Sequence, residues 1–139
     1  MRIGNWPLLL LVIEHVIRHP EEYDQSTWRG RGTCGTTRCI AGWIAFWGGW
    51  ADVECASGVA AVSHITHGIT STEQAALTAL ELDPDRDPED VASRLFNGDR
   101  TFEDVLAAVW DFARADGVTP TPLIMAELVR QGIIEKEYA

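Results

Sequence analysis

Apolar residues recur three and four apart along most of this chain, the spacing of helices with one buried face. Leu9, Ile13, Val16 and Ile17 share such a face. Asn5 stands where it can cap that helix, Pro7 falls in its opening turn, and Pro20 ends it. Pro20-Glu-Glu-Tyr23 reads as one further turn, and the polar stretch 24–35, with Gly30, Gly32 and Gly35, as a long loop. A second helix is expected from Thr36 or Thr37 to Phe46 or Trp47. Trp43, Trp47 and Trp50 are spaced to line one side of it if it persists, with Ala41, Ala45 and Gly49 forming a small-residue face beside them. Residues 48–70 hold four glycines and no clean period, and a short helix around 55–65 with irregular flanks is the expectation there.

The second half is punctuated by caps. Ser71-x-x-Gln74 precedes Ala75, Ala76, Leu77 and Leu80 in a capping-box pattern. Asp87-Pro88-Glu89-Asp90 opens a helix with Val91, Leu95 and Phe96, which Asn97-Gly98 ends. Thr101-x-x-Asp104 opens another that Gly117 stops, and Pro120 and Pro122 lead into a last helix ending near Gly132. No sustained strand alternation is visible. The pattern predicts an all-α fold: a compact single-domain bundle, residues 1–139, of five to seven short helices around a central Trp-rich helix. With 139 residues and 46 % hydrophobic content, such a core needs no disulfide or metal.

Charge changes the picture of partners. The chain carries a net −10, unevenly placed: five Arg and four acids in residues 1–50, but six basic residues and seventeen acids after that. A nucleic-acid surface needs basic residues that displace counterions, and only Arg29, Arg31 and Arg38 cluster loosely. Direct nucleic-acid binding is not expected. The acidic half suits a protein partner with a basic surface, met through Asp83, Asp85, Asp87, Glu89 and Asp90, with Trp28 as an aromatic contact. Neither apolar run, 6–13 nor 39–51, reaches the roughly 20 residues that span a bilayer. No membrane association is expected, and three cysteines, an odd count, point to a reducing, cytoplasmic setting.

Candidate chemistry concentrates in Cys34-Gly-Thr-Thr-Arg-Cys39-Ile-Ala-Gly-Trp43. With Thr36 as cap, Cys39 would lie in the first helical turn, where the positive end of the helix dipole favours a thiolate. Four uses of these thiols are open. They can be small buried core residues. Cys34 and Cys39 can form a redox pair. They can hold zinc with His64 and His67, whose spacing places them on one helical face. Cys39 can also be a nucleophile paired with His15, His19, His64 or His67. The leading expectation is no cofactor, with zinc at Cys34, Cys39, His64 and His67 as the alternative. Asp83-Pro-Asp85-Arg-Asp87 has the D-x-D-x-D start of a calcium loop but lacks its later Gly and Glu, so capping by Asp87 accounts for it better. Phosphate-binding, dinucleotide, zincin and hydrolase-elbow motifs are absent.

The Cys34–Trp43 pattern, with His19 to Asp24, Trp28, Leu95-Phe96-Asn97-Gly98 and Thr101-Phe102-Glu103-Asp104, resembles a group of small, uncharacterised proteins of actinobacteria and their phages. The resemblance implies an intracellular setting and a phage or mobile-element origin, and it carries over no catalytic residue. The reading from sequence is therefore a non-enzymatic acidic helical protein, a regulator or inhibitor acting by protein–protein interaction. The alternative is a metal-binding or redox-sensing protein built on Cys34 and Cys39.

Overall fold

Asn5 opens the first helix as its chemistry asks: its side chain accepts the Leu8 N–H, and Pro7 occupies the first turn. This is α1, Trp6–Arg18, in a computed structural model that describes residues 3–23, 30–32, 35–37, 39–55, 58–64, 68–97 and 99–136. Over 30–37 and 51–70 only the backbone of those residues is described. Five further α-helices follow: α2 Ile40–Trp47, α3 Thr72–Leu80, α4 Pro88–Leu95, α5 Phe102–Asp116 and α6 Pro122–Arg130. The six helices of the described residues fall within the expected five to seven, and they build the helical bundle that the pattern predicts.

The helix starts read at Ser71, Asp87 and Thr101 are capped as expected, while Gly98, read with Asn97 as the end of the α4 helix, lies outside the described residues. Ser71 accepts the Gln74 N–H, and Asp87 accepts that of Glu89. Thr101 and Asp104 cap each other reciprocally. Gly117 and Gly132 take the left-handed conformation just past α5 and α6. Pro20–Glu22 forms the extra turn, a 3-10 one.

The structure adds strands that the pattern does not announce. β1 (Gly30–Gly32) lies inside the expected loop and pairs antiparallel with β2 (Gly35–Thr37), which takes up Thr36 and Thr37, expected to open the second helix. β3 (Ala51–Cys55), β4 (Gly58–His64) and β5 (Gly68–Ser71) form a three-stranded antiparallel meander, with an irregularity between Val53 and Glu54. The short helix expected around 55–65 is therefore replaced by β4. This sheet sits beside α3, and its first strand also borders α2.

α1 packs against α2, α3 and α6, burying Trp6, Leu9, Val12, Ile13 and Val16. Within α2 every residue from Ile40 to Ala45 is buried. α2 approaches α3 through Gly48, which lies outside the expected face of Ala41, Ala45 and Gly49. A Cβ placed on Gly48 would stand 2.8 Å from the Ala79 Cβ and 2.9 Å from the Ile44 carbonyl oxygen. Gly48→Val should therefore force α2 and α3 apart and cost about 1–3 kcal/mol, the usual penalty of overpacking. Chemical denaturation would measure this. The tryptophan stripe is shorter than its spacing suggests. α2 ends at Trp47, so Trp50 leaves the helix and packs separately with Ala45 and Ala75. Leu11 on α1 and Phe46 on α2 are the exposed large apolar side chains among the described residues.

One carboxylate ties the ends of the bundle together. The side chain of Asp116, at the end of α5, is fully buried. Its Oδ2 accepts the Ile3 N–H and the Trp6 indole N–H, both at 2.8 Å, and its Oδ1 pairs with the Arg86 guanidinium.

Candidate functional site

The acidic run 83–90 lies between α3 and α4 and opens α4. Asp85, Asp87, Glu89 and Asp90 are exposed, and Asp83 is half-buried. Asp87 is the α4 cap, so part of this charge also serves the helix, and no calcium-loop geometry is needed to explain it. The run contains one cation, Arg86, whose side chain is only 10 % exposed. It turns inward to Asp116 and lies over the Phe112 ring, 5.1 Å from its centroid. The exposed charged side chains of the segment are those of Asp85, Asp87, Glu89 and Asp90. Of the predicted interaction residues, Trp28 lies outside the described residues.

The thiol motif is only partly described. Cys39 is the cap of α2 and not a first-turn residue: its backbone is extended, and its fully buried Sγ accepts the Gly42 N–H at 3.3 Å. The reason is the hairpin. Thr36 and Thr37 are committed to β2, so the helix starts only once the chain has left that ladder. Cys34 and His67 lie outside the described residues, and His64 is described as backbone within β4.

A second polar cluster forms where α1 runs into the 3-10 turn. His15 and His19 stand one helical turn apart, their ring centroids 4.8 Å from each other. Glu22 reaches both: Oε1 is 3.2 Å from His15 Nε2, and Oε2 is 3.5 Å from His19 Nδ1. Glu21 Oε1 lies 3.4 Å from the same Nδ1. The turn is held from below, because the Trp43 indole N–H donates to the Glu22 carbonyl at 3.0 Å. The Trp43 and Trp47 rings wall His15 at 4.5 and 4.6 Å. In sequence terms these histidines stand out only as partners for Cys39. The available signal was a His pair spaced i, i+4 with Pro-Glu-Glu directly after it.

Nearby, a cleft of about 250 Å³ opens between Ile17, Pro20, Tyr23, Phe102 and the Glu127–Arg130 pair. The hydrogen bond from Arg130 holds the Glu127 carboxyl below its ordinary pKa, against the opposing effect of partial burial. That carboxylate is engaged within its own helix and is not poised as a general base. None of the described helices is long and apolar enough to cross a membrane. No protein-family model matches this chain, nor does any curated protein or solved structure.

Proposed function

We propose that this protein works by binding another protein, through the acidic edge formed by residues 83–90, and that its partner presents a basic surface. The observation that carries this reading is the inward turn of Arg86. Arg86 pairs with the buried Asp116, and the exposed charged side chains of the run, Asp85, Asp87, Glu89 and Asp90, are all acidic. The edge is held in shape by the Asp87 cap and by the Asp83–Arg86 backbone hydrogen bond at 3.0 Å, so little ordering entropy is lost when a partner arrives. Complementary charge of this kind speeds encounter and selects partners more than it adds affinity.

Affinity capture compares the wild type with an Asp85→Asn, Glu89→Gln, Asp90→Asn variant, which keeps the Asp87 cap. The true partner should bind the variant roughly tenfold or more weakly, as the loss of three exposed charge contacts predicts. It should also leave the wild type as salt shortens the screening length. A partner held equally by both proteins and indifferent to salt would contradict the proposal.

A further inference from the structure

The end of α1 carries a second site, independent of the acidic edge. We infer that His19, Glu21 and Glu22 bind a divalent transition cation, with zinc as the representative ion and His15 as the residue that positions Glu22. One ligand atom from each of the three residues lies within 4.8 Å of the others. Two ligand atoms about 2.0–2.1 Å from a tetrahedral ion stand roughly 3.3–3.4 Å apart. His19 Nδ1 stands 3.4 Å from Glu21 Oε1 and 3.5 Å from Glu22 Oε2. Those separations are long for an N–H···O hydrogen bond, which runs about 2.7–3.2 Å, and close to the spacing of ligands around a shared ion.

Three further features favour a cation here. The cluster sits at the C-terminal, negative end of the α1 dipole. Its scaffold is fixed: the His19 N–H donates to the His15 carbonyl at 2.8 Å, the Glu22 N–H to the His19 carbonyl at 2.9 Å, and Trp43 to the Glu22 carbonyl. The Glu22 carboxylate is also oriented from behind, because its other oxygen is held by His15 Nε2 at 3.2 Å, and carboxylates that ligate metals are commonly hydrogen-bonded in this way. One imidazole and two carboxylates suit a borderline ion, and the exposure of His19 and Glu21 leaves a fourth position to water.

Titration of the full-length chain with zinc chloride, followed by calorimetry, tests this. A parallel titration with cobalt chloride, followed by absorption, reports the ligand type. The wild type should take up one zinc per chain, and its cobalt form should lack a thiolate charge-transfer band. Glu21→Gln should weaken uptake by about tenfold or more, and His19→Asn should abolish it, with far-UV circular dichroism unchanged in both. His15→Gln should weaken binding by about 10–100-fold without removing the cobalt spectrum, as expected of a positioning residue. Absent uptake by the wild type, unchanged affinity in both the Glu21 and His19 variants, or a thiolate band would overturn the inference.

Discussion

Asp116→Ala should be among the most damaging single substitutions in this protein, lowering stability by about 3–5 kcal/mol. The magnitude follows from what the carboxylate holds. It accepts from the Ile3 backbone and the Trp6 indole, and it is paired with a guanidinium that is itself nearly covered. Alanine leaves two donors and one buried charge without that partner, and a charge stranded in the interior costs far more than a surface pair returns. Asp116→Asn should fall between the two, since it keeps an acceptor and loses the charge. A double-mutant cycle with Arg86→Leu should show strong coupling, because removing both partners avoids the stranded cation. Thermal denaturation of the four proteins gives the answer. Additive losses would mean that Arg86 does not depend on Asp116.

Trp43→Ala should rank beside it, at about 3–5 kcal/mol for the loss of a buried indole. Trp43 packs edge-on with Phe46 and against Trp47, and its ring faces His15. Its N–H also pins the carbonyl of Glu22. The substitution therefore has two separable consequences. Trp43→Phe should keep most of the packing while losing the hydrogen bond, costing about 1 kcal/mol for that bond. It should also loosen the Pro20–Glu22 turn, seen as faster amide exchange at Glu22 and Tyr23. Equal stability of Trp43→Phe and Trp43→Ala would mean that the hydrogen bond, and not the ring, dominates.

The helical frame was legible because its signals are local. Asn5, Ser71, Asp87 and Thr101 each satisfy an N–H two or three residues away, so the cap can be read without knowing the fold. The strands were not legible for the opposite reason. β3, β4 and β5 are short, and β4 mixes Gly, Ala and Ser with its two valines, which leaves little alternation to detect. What settles them is pairing, such as Ala51 with Ser63 and Ala61 with Ser71, and pairing is not written in either partner alone. The same holds for Asp116. Nothing in the α5 sequence separates it from exposed acids such as Asp111, because its partners are 30 to 113 residues away. The run of acids at 83–90 is plain in the sequence, but the inward turn of Arg86 is not. Whether Arg86 faces outward depends on that distant carboxylate.

The buried tie at Asp116 and the acidic edge both depend on where Arg86 points. Hydrogen exchange of its guanidinium Nε–H, followed by nitrogen-edited NMR, measures this directly. Burial of that Nε predicts exchange far slower than that of Arg18, whose side chain is 58 % exposed. Exchange as fast as that of Arg18 would place the Arg86 cation on the surface and contradict both the Asp116 tie and the acidic edge.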